Sequence, residues 1–279
     1  MENDLEKLIL SNVEDNIGYI IFNRPKQLNA FNVTLAEKFI DIMELFSKDK
    51  TVRAVVIKGV GKIFSSGGDI KSMMSMVQEG KDRAEYFRAP LDTFNKMILS
   101  IKDIPKPVLA AVHGAVAGVA FNLMLACDLK IATEETLFTQ AFIKLGLSPD
   151  GGGTYFLQKL VGYSRACELT MLPTEINAKI ALNWGLINWV VPTDIFEKEI
   201  KNIADKLANS PTSAIGRTKF LLNRVERTFL SEQLEAERLM QIENAATDNF
   251  EEGLKAFIEK RPAKFNNCNP KFFGAGACP

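Results

Sequence analysis

The chain has 279 residues, 47% of them hydrophobic and 24% charged, the composition of a folded domain with its own core rather than of a disordered segment. Lys+Arg and Asp+Glu both total 34, so no net field draws the protein to nucleic acid or anionic lipid, and neither is expected as a partner. Four cysteines without CxxC spacing and a single histidine argue against a disulfide scaffold and against a metal centre.

The opening MENDLEKLIL has acids where a secretory signal carries a basic segment. The richest apolar stretch, Val108 to Leu129, is broken by His113, Gly114, Gly118, Asn122 and Asp128. A cytoplasmic protein without a membrane span is expected. Ile17–Phe22 reads as a strand closed by the NRP turn at Asn23–Pro25, and Val33–Phe46 has helical apolar spacing. Val52–Ile57 predicts a buried strand, and Ile63–Asp69 is a Gly-rich connection into a helix over Ile70–Val77. A polar stretch, Gln78–Arg88, precedes a helix from about Leu91 to Ile101, and Val108–Val112 predicts the next strand. A glycine turn then opens an apolar helix over Gly118–Cys127, followed by a short strand, Leu129–Ala132.

Beyond Gly162 the pattern is nearly all helical: Arg165–Met171, Ala178–Trp184, Ile195–Ala208, Thr212–Arg227, Glu232–Thr247 and Phe250–Glu259. The interruption at Leu186–Val191 is strand-like. Strands joined by helical crossovers predict an α/β fold built on right-handed βαβ units. The expected division is an α/β core over residues 1–200, a helical subdomain for oligomer contacts over 201–265, and a loosely ordered tail over 266–279.

Two strand-to-helix turns share a design that suits chemistry. In Ile63–Ile70 (IFSSGGDI) and in His113–Asn122 (HGAVAGVAFN), small residues precede a helix start, where backbone N–H groups are unpaired and can approach a ligand. Two such donors aimed at one carbonyl oxygen would stabilise an oxyanion. Asp150, in LSPDGGGT, reads from the residues either as an acid–base group or as the Asp of a Pro-Asp-Gly turn. His113 has no acid or nucleophile at a recognisable spacing and reads as a hydrogen-bonded structural residue. Asp69 reads as a helix cap and Asp128 as a residue serving the fold. The four cysteines read as buried or incidental thiols.

Taken with their flanks, these segments resemble the crotonase (enoyl-CoA hydratase/isomerase) superfamily. The matching stretches include NRPKQLNAF (Asn23–Phe31), RAVVIKGVGKIFSSGGDI (Arg53–Ile70) and KPVLAAVHGAVAGVAFNLMLACDLKIA (Lys106–Ala132). They continue through FTQAFIKLGLSPDGGGTYFLQKLVG (Phe138–Gly162) and AKIALNWGLINWVVP (Ala178–Pro192) to AFIEKRPAKF (Ala256–Phe265). The resemblance implies a spiral of ββα turns with a helical C-terminal oligomerisation subdomain, and homotrimers or hexamers made of two trimers. It also implies an acyl-CoA substrate, with coenzyme A entering as part of that substrate and no separate cofactor or metal.

The resemblance places the oxyanion donors at the amides of Ser66 and Val119. For coenzyme A it points to Lys26, Gln27 and Leu28, to Ser66, Gly68, Asp69 and Ile70, and to Phe257 and Lys260 offered by a neighbouring subunit. The two glutamates of the hydratases fall on Asn122 and Phe142 here, and neither residue exchanges a proton at neutral pH. Losing the base for water forfeits about a hundredfold to ten-thousandfold in rate. Asn122, the QAF at Gln140–Phe142 and the PDGGG at Pro149–Gly153 resemble the isomerase branch, which includes ring-epoxide and Δ3,Δ2-enoyl-CoA isomerases. Asp150 would then be the single proton shuttle, in a site kept dry by Phe138, Phe142 and Leu145. Asn122 is open between a hydrogen bond to substrate, one to Asp150, and a purely structural role. Alternatives are a hydratase with other acid–base residues, an Asp150 nucleophile of the dehalogenase kind, and a catalytically weak acyl-CoA binder.

Overall fold

Parallel strands covered on both faces read as unbroken apolar runs, and this is how the central sheet is written. The computed structural model describes residues 8–80, 83–172 and 174–225, together with Glu252, Glu259, Arg261, Pro262 and Lys264. Strands β1 (Ile9–Glu14), β2 (Ile17–Phe22), β3 (Ala54–Gly59), β4 (Val108–Val112), β6 (Leu129–Thr133) and β9 (Trp189–Val191) form one sheet in the order β1-β2-β3-β4-β6-β9. β1 runs antiparallel to β2, and every other pairing is parallel. A second sheet joins β5 (Ala115–Ala117), β7 (Leu137–Thr139) and β8 (Glu175–Asn177) in the order β5-β7-β8.

The period-2 alternation of each strand divides the core in two. Ile20 and Phe22 of β2, Val55 and Ile57 of β3, and Val108, Ala110 and Val112 of β4 face one cluster. Helices α1 (Val33–Lys48), α3 (Arg83–Asp103) and α4 (Val119–Ala126) supply its other side, through Phe39, Met97 and Phe121 among others. The alternate residues Ile17, Ala54, Val56, Leu109 and Ala111 face Phe196, Ile200, Ala204 and Ala208 of α8 (Phe196–Ala208). Buried residues fill every position of α4, so the helix beginning at Val119 is fixed inside the molecule.

The remaining helices are α2 (Ile70–Gln78), α5 (Gly153–Val161), α6 (Tyr163–Met171), α7 (Ala178–Asn183) and α9 (Thr212–Arg224). The boundary expected at residue 200 falls inside α8, which packs on the main sheet, so the core extends at least to Ala208. α9 is tied to it as well: the buried Lys219 Nζ donates to the carbonyls of Ile101 (2.7 Å) and Lys106 (3.2 Å) and pairs with Asp128 at 2.8 Å. The helix expected over 232–247, most of that expected over 250–259, Phe257, Lys260, Cys268, Cys278 and the tail lie outside the described residues. Among the described residues no helix is long and apolar enough to cross a membrane, and no group of three or more His, Cys, Asp or Glu is placed to hold a metal ion.

Candidate active site

The two glycine turns are stitched together by main-chain bonds. The Ser65 N–H donates to Ala115 O at 3.2 Å and the Ala117 N–H returns to Ser65 O at 3.1 Å, placing the IFSSGGDI loop beside β5. Gly67 allows the closest approach: its φ is +89°, and a Cβ there would lie 2.7 Å from Ala117 O and 3.5 Å from Gly118 Cα. Asn29, which sequence reasoning passed over, anchors the loop from behind. Its buried amide donates to the carbonyls of Val60 (2.9 Å), Ile63 (3.1 Å) and Phe64 (3.0 Å), and it accepts the Arg24 N–H at 2.8 Å. The Arg24 guanidinium pairs with Asp69 at 3.2 Å and donates to Ala30 O. Asp69 Oδ1 also accepts the Ser72 N–H at 3.3 Å, so its carboxylate is a helix cap and an ion-pair partner at the head of α2.

The amide expected to act at Ser66 is already used, donating to Leu28 O at 3.0 Å. The Gly67 N–H is also taken, by Ser65 Oγ at 3.1 Å. The next amide differs. Gly68 pairs with Phe31 as an isolated parallel bridge, with Phe31 N–H donating to Gly67 O (2.7 Å) and Asp69 N–H to Phe31 O (2.9 Å). In such a bridge the Gly68 N–H points away from Phe31, and among the described residues it has no acceptor. Val119 is the first residue of α4, so its N–H has no intrahelical acceptor. Gly68 and Val119 therefore each offer an unpaired donor at the cavity, and the expectation for Ser66 is corrected by two positions.

Ser66, Gly68, Asp69, Ile70, Val119, Phe142 and Asp150 line one cavity of about 430 Å³. Its further wall, which sequence reasoning did not reach, comes from α3: Tyr86, Phe87, Pro90, Leu91 and Phe94. Phe31, Met73, Leu145 and Leu147 add to the apolar lining. Phe142 lies over the glycine turn, with its Cζ 3.7 Å from where a Cβ on Gly118 would be. Phe138, expected beside it, is fully buried against Phe121 at a ring separation of 5.4 Å and is not part of the wall. Lys26, Gln27 and Leu28 form an exposed turn that touches the site through the Leu28–Ser66 bond and do not line the cavity.

Asp150 sits where the chain leaves the cavity for α5. Burial raises its carboxyl from 3.8 to about 6, partly offset by a hydrogen bond from its own backbone, and its buried Oδ1 has no hydrogen-bond partner. The backbone of the turn is well held. The Gly153 N–H donates to Asp150 O at 2.9 Å, and Asn122 Nδ2 donates to the same oxygen at 2.8 Å. Asn122 is fully buried, accepts Gln140 Nε2 at 2.9 Å, and is not part of the cavity wall. Of the roles left open for Asn122, the structure shows a bond to Asp150, made to its main chain and not to its carboxylate.

Of the other candidates, the His113 Nε2 lies 3.0 Å from Gly61 O and its ring meets Phe196 edge-on at 6.3 Å, a structural position. Burial pushes the Cys127 thiol up to about 12, which leaves it unreactive at neutral pH. A cavity with two free amides on adjacent turns, one carboxyl of raised basicity and apolar walls can hold an oxyanion and move a proton beside it.

These features accompany a clear family relationship. Residues 12–268 match the family model described as enoyl-CoA hydratase/isomerase, and the chain belongs to that family, within the crotonase superfamily. It is 33% identical over 259 residues to the trans-2-decenoyl-[acyl-carrier-protein] isomerase of Streptococcus mutans, covering 93% of this chain and 98% of that one. It is 32% identical over 259 residues to the 1,2-epoxyphenylacetyl-CoA isomerase of Escherichia coli, with the same coverage of 93% and 98%. Among solved structures, an enoyl-CoA hydratase from Polaromonas sp. JS666 superposes with a TM-score of 0.88 at 31% identity, over 92% of this chain and 99% of that one. The fold is that of the crotonases. The protein is an enzyme of the enoyl-CoA hydratase/isomerase family, whose substrates are acyl-CoA thioesters.

Proposed function

We propose that the protein is an enoyl-thioester isomerase in which Asp150 is the only proton shuttle and the amides of Gly68 and Val119 hold the enolate oxygen. The Asp150 carboxylate carries the reading: it is poised near neutrality at about 6, has an unpartnered oxygen, and shares a cavity with both free amides. In the reaction Asp150 takes a proton from C2 of a 3-enoyl thioester, and the electron pair of that C–H bond moves into the carbonyl. The resulting dienolate rests on the two amides. Asp150 then returns the proton to C4, leaving the double bond between C2 and C3.

Water chemistry is disfavoured on two grounds. Phe142 offers no proton-transfer group, and Asn122 is bound to protein at both ends of its amide, by Gln140 and by Asp150 O. A ring-derived acyl group, as named for the Escherichia coli relative, would use the same enolate. The thioester carrier is coenzyme A or, as named for the Streptococcus mutans relative, an acyl-carrier protein. The second reading is a hydratase, because a relative from Rhodobacter capsulatus at 34% identity is named a probable enoyl-CoA hydratase. Incubation with 3-enoyl-CoA and with 2-enoyl-CoA in deuterated buffer separates the two. Double-bond migration that is abolished in Asp150→Asn supports the isomerase; addition of water to 2-enoyl-CoA without migration refutes it.

The proposal includes a homotrimer or a pair of trimers. Tyr163 and Met171 of α6 and the adjoining Leu172 are 70%, 62% and 55% exposed in the single chain, an apolar group that assembly would cover. Light scattering on the purified protein tests this, and a monomer refutes it.

A further inference from the structure

The geometry points to Asn122 as the positioning residue that sets the distance between the base and the oxyanion site. This inference rests on the reading of Asp150 as the proton shuttle, and it assigns a specific task to the residue at a position vacated by an acid. Val119 and Asn122 stand at i and i+3 on α4, and therefore on one side of the helix. The first presents its free N–H to the cavity, and the second holds the main-chain oxygen of Asp150 at 2.8 Å. One helical turn thus carries both halves of the machinery. Asn122 cannot drift, because Gln140 Nε2, on a residue only 1% exposed, fixes its Oδ1 at 2.9 Å.

The glycines of the turn are shaped to this contact. A Cβ on Gly153 would stand 2.5 Å from Asn122 Nδ2 and 2.7 Å from its Cγ and Oδ1, so the turn lies directly against the amide. A Cβ on Gly151 would be 3.4 Å from Val119 Cγ2 and 3.6 Å from Asn122 Cβ. The tether acts on the backbone alone. Among the described residues Asp150 Oδ1 has no partner, so this oxygen of the carboxylate that the tether aims is left open. Asn122 supplies a donor to a carbonyl; an acid at this position would supply that donor only when protonated.

The test is Asn122→Ala, with Asn122→Asp as the isosteric variant that keeps the Gln140 bond but places an ionised oxygen against Asp150 O. A misplacement of about 1 Å at a reacting group costs about a hundredfold in rate. Both variants are expected to lose about that much kcat, while the dissociation constant for a saturated acyl-CoA stays within about threefold. The thioester carbonyl stretch of that bound ligand, read by infrared difference spectroscopy, should keep the parent's frequency, because the Gly68 and Val119 amides are untouched. Retention of kcat within threefold in the folded variants overturns the proposal. So does a carbonyl frequency that returns to the free-ligand value, since the loss would then run through the oxyanion donors. Asp150→Asn is the control: full activity in it sinks the shuttle itself, whereas an inactive Asp150→Asn beside a fully active Asn122→Ala sinks only the tether. If Asn122→Ala does not fold, Asn122→Asp decides by the same two readouts.

Discussion

Asp150→Asn should make the protein inactive and more stable, and the gain in stability should depend on pH. The Asp150 carboxyl is moved from 3.8 to about 6 because burial disfavours its charge. At about 1.4 kcal/mol per pH unit, this corresponds to a penalty of roughly 3 kcal/mol on the ionised folded state, an upper bound. The folded-state value lies above the unfolded one, so the penalty is absent below about 3.8 and grows as pH rises towards about 6. It levels off about one pH unit above that, and roughly half of it develops between pH 5 and pH 8. Asparagine has nearly the same shape and no charge to bury. In a chain of this length about 1.4 kcal/mol is worth about 3 °C, so the Tm advantage of the variant should widen by that amount from pH 5 to pH 8. Thermal unfolding followed by circular dichroism at the two pH values measures it, and turnover of a 3-enoyl-CoA should fall at least about a hundredfold. A Tm difference that is the same at both pH values, or a parent more stable than the variant at pH 8, would refute the account of Asp150 as a buried and destabilising charge.

The parent enzyme should show kcat/KM rising with pH through an acid limb near 6 and level above it, because the ionised form is the base; a limb near 4 places the working carboxylate in water. Val119→Pro deletes the N–H at the first position of α4, where proline is compatible with a helix start. It should lower kcat by about a hundredfold to a thousandfold with helicity preserved, and Ser66→Ala, which keeps the amide bonded to Leu28, should leave kcat within about threefold. Gly153→Ala drives a Cβ into Asn122 and should cost about 1–3 kcal/mol in urea unfolding together with a loss of kcat. Asp128→Ala strands the buried Lys219 ammonium, whose pKa burial already lowers, and should destabilise by about 3–5 kcal/mol while turnover per folded molecule is kept.

The parts of this fold that were legible in the sequence are those whose signal is local. β2 and β4 occupy the expected residues, Ile17–Phe22 and Val108–Val112, because each is an apolar β-rich run with punctuation after it. β1 was missed because it is an edge strand in which only Ile9 is buried, so it has no apolar pattern to read. The second sheet was missed because its strands have three residues each and pair distant segments, as Thr139 does with Glu175. α3 begins at Arg83, earlier than expected, since its first turns are polar and carry Pro90. α5 begins on Gly153, inside a glycine run that reads as loop. The same limit explains Ser66. Which of three successive small-residue amides is free depends on Leu28 O, which takes the Ser66 N–H, on Ser65 Oγ, which takes the Gly67 N–H, and on the bridge to Phe31 that turns the Gly68 N–H outward, pairings that no local spacing encodes.

Satisfaction of polar groups separates the scaffold of this site from its working part. Asn29, Ser65, Arg24 and Asp69 are bonded to one another or to nearby main chain, and they fix the loop that ends at Gly68. Along the cavity the pattern reverses: buried Gln140 Oε1 and Asp150 Oδ1 have no partner among the described residues, and the Gly68 and Val119 amides lack acceptors there. Unpaired buried groups destabilise a fold by about 1–3 kcal/mol each, so their gathering around one cavity is not expected from folding alone. The chain places them against a helix buried at every position and a turn that Asn122 holds. On the proposed reading, the burial of α4 at every position is what holds the Val119 amide and the Asp150 turn in one cavity, and a substitution that loosened α4 would be expected to reduce activity before it reduced stability.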